Sequence, residues 1–290
     1  MEHIPVLVDE VVSSLNLKPN DDVIDATING GGHAFAILKI ISPNGKLLGI
    51  DLDTKALDRT REKLSIYIDQ VILKEDNFKN LRKIAEENNF TNCSAILFDL
   101  GLSSLHLAGT KGFSFQSDAP LDMRYGRFGL TAAEVVNTYL VEELEKIFYE
   151  NGERLAKKIA RAIIEQRKLI PFRTTTQLTT LITAIKPRRG KIHPATKVFQ
   201  ALRIAVNDEK GSIEQGLDGA LEILNKQGRI AVITFHSGED RLVKNIFKKF
   251  VKEGRIRLIN KKVIRPLRTE VLHNPRSRSA KLRAIEKIGS

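Results

Sequence analysis

Short apolar runs recur in the first and last thirds of the chain, and most close on polar or acidic residues. Val23-Ile24 ends in Asp25, and the run 47–50 ends in Asp51. Val71-Ile72-Leu73 leads into Glu75-Asp76-Asn77, and Ala95-Ile96-Leu97-Phe98 ends in Asp99. Ile230-Ala231-Val232-Ile233 repeats the theme before Thr234-Phe235-His236. Brief, uninterrupted runs of this kind predict strands buried on both faces, as in a parallel sheet. Helical spacing fills the gaps. Val8, Val11, Val12 and Leu15 share one face, the segment 34–41 is a second helix, and Asp53 caps a third over 54–64. Residues 79–89 give a fourth. Ser212-Ile213-Glu214-Gln215 reads as a capping box for a helix that Gly228 ends, and another runs to Phe250. Arg257-Leu258-Ile259 and Leu282-Arg283-Ala284-Ile285 lack a full crossover helix between them. They are expected as an antiparallel pair at the edge of the sheet. The fold class is thus α/β, with seven strands, mostly parallel.

From 130 to 206 the period is helical throughout; Leu155, Ile159 and Ile163 mark one face. Strand-rich segments on both sides make this an inserted helical domain. The expected division is a discontinuous sheet domain, 1–128 with 211–290, and an insert over 129–210. Residues 109–129, rich in Gly and aromatics, form a long loop, and long loops in compact domains are usually functional.

Charge changes this picture more than composition does. Among 290 residues, 42% are apolar and 28% charged, which is ordinary for a globular chain. The net charge of +12 lies at one end: 241–290 hold 16 Lys plus Arg against 3 Glu, leaving 31 basic against 32 acidic side chains elsewhere. A positive field of this kind suits a polyanion such as nucleic acid, though a solvated basic tail has the same composition. The single cysteine, Cys93, allows no internal disulfide, which suits a cytoplasmic protein. No signal peptide and no membrane span are expected.

Candidate chemistry centres on 22–53, which reads as strand, glycine turn, helix, strand and acidic tip. Gly30-Gly31-Gly32-His33 allows close backbone approach, and Asp51 can accept from two ribose hydroxyls. The dinucleotide pattern G-x-G-x-x-G is absent. A nucleoside without phosphates, such as S-adenosylmethionine, fits better; a purely structural turn is the alternative. Phe78 is placed either to stack on adenine or to fill core. Asp99 ends a central strand with Gly101 two residues on, where open α/β sheets bind ligands; a turn cap is the alternative. Gly101-Leu102-Ser103-Ser104-Leu105 lacks the second glycine of a hydrolase elbow, and the histidines show no metal spacing.

The ordered set of motifs resembles one family over nearly the whole chain: the bacterial methyltransferases that modify N4 of a cytidine in 16S ribosomal RNA. The resemblance is carried by His3-Ile4-Pro5-Val6-Leu7, Gly30-Gly31-Gly32-His33, Asp51-Leu52-Asp53 and Asp99-Leu100-Gly101-Leu102-Ser103-Ser104. It continues through Gly112-Phe113-Ser114-Phe115, Pro120-Leu121-Asp122-Met123-Arg124, the block 193–209, Phe235-His236-Ser237 and Ser279-Ala280-Lys281-Leu282-Arg283. The resemblance implies a Rossmann-like methyltransferase sheet and a helical substrate-recognition insert. It implies S-adenosylmethionine contacts at Gly31, Gly32, His33, Asp51, Phe78, Asp99 and His106. Asn29 before the glycines, Gly238 after His236-Ser237, and His106 depart from the family's pattern.

Asp99 is the expected catalytic group, an acceptor that draws on the cytosine amine. Arg124, Arg188, Arg189, Arg276 and Arg278 are the expected RNA contacts, with Phe113, Phe115 and Tyr125 as a wall for the target base or as local core. The expected partner is 16S ribosomal RNA within the small ribosomal subunit, and a homodimer is compatible with the chain. Two competing readings remain: a methyltransferase of proteins or small molecules, and a non-catalytic RNA-binding assembly factor.

Overall fold

The computed structural model describes residues 4–101, 110–188, 190 and 192–289. It divides into two compact units, Met1–Gly101 with Lys210–Ser290, and Leu102–Glu209.

The first unit is built on a seven-stranded sheet in the order β3-β2-β1-β4-β5-β7-β6. The strands are β1 (Val23–Asp25), β2 (Leu47–Asp51), β3 (Val71–Glu75), β4 (Cys93–Asp99), β5 (Leu224–Thr234), β6 (Ile256–Leu258) and β7 (Lys281–Lys287). All neighbours from β3 to β5 pair in parallel. β7 lies between β5 and β6 and runs antiparallel to both. The chain proceeds outward from β1 in one direction as β2 and β3, and in the other as β4 and β5. The sheet order therefore reverses between β1 and β4, and their carboxyl ends border a crevice there.

The alternating strand residues explain the two-sided burial. Ile24, Ile96, Phe98, Ile230 and Val232 enter one core, with Leu81, Ile84, Leu217, Val243 and Phe247 from the helices on that face. Their neighbours Val23, Ala95, Leu97, Ala231 and Ile233 enter the other, with Val11, Leu15, Ala34, Ile37 and Leu57. Both faces are dry, so the strands read as continuous apolar runs. Cys93 is buried at the start of β4, where burial pushes its thiol up to about 12; it is a core residue and an inert thiol.

Two expected boundaries differ. Ser212 does not cap a helix; the helix begins earlier, at Glu209, and runs to Ile223. Ser212 is buried inside it, and its hydroxyl accepts from Asn77 Nδ2 at 3.4 Å. Gly228 does not end that helix either but lies within β5, which begins at Leu224. The β4–β5 register slips there, Cys93 facing Leu224 and Ala95 facing Arg229, and irregular pairing hides the strand's first half from a periodicity reading.

The second unit is helical among its described residues: Ala132–Thr138, Val141–Glu150, Ala156–Leu169, Thr175–Ile185 and Thr196–Val206. Two starts carry reciprocal capping boxes, Thr131 with Glu134 and Thr174 with Gln177. Its core includes Val135, Leu144, Phe148, Ile159, Leu178, Ile182 and Leu202. Phe113, Leu121 and Met123 are buried in the same core, so residues 110–128 belong to this unit and not to the sheet domain expected to extend to 128. The loop's scattered apolar residues have no period, so the core they join was not readable from spacing. No helix among the described residues is long and apolar enough to cross a membrane.

One close backbone approach makes the fold testable. A Cβ on Gly45, in the turn before β2, would lie 2.5 Å from the Asp21 carbonyl oxygen and 2.6 Å from that of Ile41. Neither carbonyl can rotate away as a side chain would. Gly45→Ala is expected to cost about 1–3 kcal/mol, read as a lowered denaturation midpoint with an unchanged m-value. Gly289→Ala, which meets only ordinary contacts, should leave the midpoint in place.

Candidate active site

The site is assembled at the carboxyl ends of β1, β2 and β4. β1 gives way to a turn in which Asn29, Gly30 and Gly31 have φ of 48°, 97° and 78°. Consecutive left-handed residues favour glycine, with Asn the most tolerant substitute, and this explains the Asn-Gly-Gly order. A Cβ on Gly30 would meet nothing within 4 Å, so the turn presents bare backbone to open space. The helix Gly32–Ile41 starts directly behind it.

The turn also ties the strands together. The Asp99 backbone N–H donates to Thr27 Oγ1 at 2.6 Å, and Asn29 Nδ2 donates to the Asp99 carbonyl at 3.3 Å. Asn29 N–H donates to Asp51 Oδ2 at 3.0 Å, and Asp53 N–H donates to Asp51 Oδ1 at 2.9 Å. Each Asp51 oxygen thus has one backbone donor and keeps acceptor capacity for a diol. Burial pushes the Asp51 carboxyl up to about 6, against the backbone donors that lower it.

His33 is buried, and its Nε2 lies 2.8 Å from the Val6 carbonyl. A carbonyl only accepts, so Nε2 carries the proton. Nδ1 then faces Asp99 Oδ2 at 3.7 Å. Asp99 is 2% exposed, and its other oxygen, Oδ1, has no partner among the described residues. Asp25, 1% exposed, also has an oxygen, Oδ2, without a partner. Buried acceptors are normally satisfied. The Asp99 orphan calls for a ligand that brings an N–H or O–H donor, the acidic crevice favours positive charge, and Asp25, which burial keeps protonated, can itself donate. A sulfonium nucleoside with an amino group and ribose hydroxyls fits that donor set, and a phosphate does not. Asp25 was read from the sequence only as the acid that ends the first strand; its burial beside Asp99 adds it to the site.

The remaining candidates divide. Phe78 opens a short 3-10 turn after β3 and meets Phe98 edge-on at 5.7 Å. Gly216 makes room for it, since a Cβ there would come within 2.8 Å of the Phe78 ring. The ring is nonetheless only partly buried, so packing and ligand stacking are compatible. His106 and Arg189 lie outside the described residues. The Arg124 guanidinium is held by Asp122 at 2.7 and 3.0 Å and donates to the carbonyls of Arg127 and Gly129, so the RNA contact expected of it finds no support. Phe113 and Tyr125 stack on each other at 5.4 Å within the helical unit, Phe113 being buried, which favours the core reading of both. Arg188, Arg276 and Arg278 are exposed.

This strand order, the glycine turn and the ribose-type acid that ends β2 define a Rossmann-like, S-adenosylmethionine-dependent methyltransferase. The chain belongs to the MraW methylase family, whose model matches residues 1–288. It is 46% identical to ribosomal RNA small subunit methyltransferase H of Carboxydothermus hydrogenoformans, over 99% of this chain and 98% of that protein. It is 44% identical to the protein of the same name from Persephonella marina, over 99% of this chain and 100% of the relative. Among solved structures, a Clostridium thermocellum protein described as a candidate rRNA-methylase superposes with a TM-score of 0.50. It covers 98% of this chain and 94% of its own at 16% identity, a likeness of fold.

The crevice makes a pH prediction. In the unfolded chain Asp25 ionises near 3.8; in the fold, burial above all keeps it protonated up to about 8. The folded state therefore binds the extra proton between those values. The Asp25 contribution is fullest below about 4 and is lost as pH rises toward 8, at up to about 1.4 kcal/mol per pH unit. Asp25→Asn, neutral throughout, should flatten the fall in thermal midpoint between pH 5 and 8. Parallel curves for the two proteins would show that Asp25 is ionised in the fold.

Proposed function

We propose that this protein transfers a methyl group from S-adenosylmethionine to N4 of a cytidine in 16S ribosomal RNA, acting in the cytoplasm on RNA of the small ribosomal subunit. The observation that carries the reading is the unpartnered Asp99 Oδ1, buried at the switch point beside the glycine turn. Family membership and the names of the relatives support it.

When bound, the cofactor supplies an electrophilic methyl on a positively charged sulfur. Asp51 would hold the ribose, Gly31, Gly32 and His33 the methionine arm beside the turn, and Phe78 the adenine face. The residues then face an amine that is a poor nucleophile, because its lone pair is shared with the cytosine ring. Asp99 Oδ1 would accept a hydrogen bond from N4–H and so localise that pair. With the cofactor bound, the amine lone pair would form the new N–C bond as the C–S bond breaks, and one N4 proton would then pass to water. Asp99 gains interaction strength as positive charge grows on N4, which is stabilisation specific to the transition state. The dry walls of the crevice strengthen that effect. The Val6 carbonyl fixes the His33 ring, whose Nδ1 stands 3.7 Å from Asp99 Oδ2.

The basic segment 241–290 would meet phosphates. Arg276 and Arg278 project from the turn Pro275–Ser279, exposed on either side of the buried Ser277.

Methyl transfer to small-subunit RNA, followed by nucleoside mass mapping, tests the reading. Wild type should yield N4-methylcytidine. Asp99→Asn should lower kcat by roughly 100-fold or more at saturating cofactor. Full turnover with only weaker cofactor binding would remove the catalytic role from Asp99; label on protein and none on RNA would remove the RNA substrate. RNA affinity should also drop about tenfold or more between 50 and 200 mM salt, and a flat response would contradict a phosphate-binding role for the basic segment.

A further inference from the structure

The helical unit holds an open cavity of about 560 Å³ lined by Phe115, Gln116, Arg188, Ile192, His193 and Thr196. None of these residues belongs to the acidic crevice. The Phe115 and His193 rings stack with centroids 4.5 Å apart and planes 19° from parallel. Phe199 braces Phe115 edge-on at 5.4 Å, so the stacked pair is fixed from behind. The Ala195 N–H donates to His193 Nδ1 at 3.2 Å. Nδ1 therefore presents its lone pair to the backbone, and Nε2 is the ring's donor. Ile192 is 71% exposed. Arg188 is exposed in the basic run 186–191, whereas Lys186 is already paired with Glu153 at 2.6 Å.

This combination has a recognisable chemistry. Flat rings and an exposed aliphatic side chain offer a surface to the π-face of an unstacked base. The Gln116 amide, the Thr196 hydroxyl and His193 Nε2–H offer donors and acceptors to its edge, and Arg188 offers a cation to its phosphate. Single-stranded RNA is bound through this mixture of stacking, edge contacts and phosphate contacts. A purely electrostatic patch would not need ordered rings, and an apolar protein groove would not place an exposed Arg beside them.

We propose that this cavity is a nucleotide subsite that takes an unpaired base of the RNA substrate, other than the cytidine that is methylated, with its phosphate on Arg188. The inference rests on the RNA-methyltransferase reading and deepens it: it assigns to the insert a base-binding pocket that selects substrate context.

Two measurements on the full-length protein test it. The first is photo-crosslinking to small-subunit RNA substituted with 4-thiouridine, with the crosslinked peptides mapped by mass spectrometry. Crosslinks are expected on the peptides bearing Phe115 and His193. The second is steady-state methylation. Phe115→Leu, which removes the ring, should raise the RNA KM roughly 5- to 20-fold, with kcat and cofactor affinity within about twofold of wild type. Phe115→Tyr should restore KM, an outcome that a merely structural role for the ring would not require. Arg188→Ala changes an exposed side chain, so it tests the phosphate contact without a folding penalty; it should raise KM and flatten the salt dependence. Crosslinks confined to other peptides, or unchanged KM in both Phe115→Leu and Arg188→Ala, would overturn the subsite, as would crosslinking of the cavity to a protein in place of RNA. Failure of wild type to methylate RNA would instead sink the functional reading, and the crosslinks would still report on the cavity.

Discussion

Everything at the site depends on keeping carboxylates in a place that excludes water. Asp25 and Asp99 are almost fully buried, and each carries an oxygen without a hydrogen-bond partner among the described residues. Burial and the nearby charges of Asp99 and Asp51 together hold Asp25 protonated far above its ordinary range. Unsatisfied buried acceptors cost the fold free energy, of order 1–3 kcal/mol each. A cluster of this kind persists where the ligand supplies what the protein withholds, here donors and positive charge. The sheet makes the arrangement possible: only where its order reverses do two adjacent strand ends open a crevice, and the Thr27 and Asn29 bonds to Asp99 hold its two sides together.

The same electrostatic logic separates cofactor from substrate. The crevice is acidic and suits a cationic nucleoside. The basic residues lie elsewhere, in the segment 241–290 and in the loop 186–191, where a polyanion would be met. Segregation of this kind lets one chain hold a cation and a polyanion without either competing for the other's charges. Asp240 shows how local pairing tempers the basic segment: Arg283 at 2.8 Å and Lys281 at 3.2 Å hold its carboxyl below the usual range, and neither cation is left unpaired.

Much of this was legible in the chain. The seven strands, the strand-end acids and the glycine turn all follow from apolar runs closed by polar tips, because both faces of a parallel sheet are buried. Legibility failed where tertiary contacts override local pattern. Ser212 and Gln215 have capping-box spacing, yet the helix starts at Glu209 and buries Ser212 against Asn77. Residues 110–128 have no period and were assigned to the sheet domain, yet Phe113, Leu121 and Met123 fill the helical unit's core. Arg124 was expected as an RNA contact, and the structure shows its guanidinium paired with Asp122, two residues away. Asp25 was visible as a strand end; its significance came only from burial and from the oxygen left without a partner.

Competition calorimetry addresses the central claim most directly. S-adenosylmethionine titrated into the protein should bind at one site per chain, and a large excess of ATP should leave that isotherm unchanged, because phosphates have no place among Asp25, Asp51 and Asp99. Displacement of the nucleoside by ATP, or absence of any heat with S-adenosylmethionine, would contradict an acidic crevice built for a sulfonium cation.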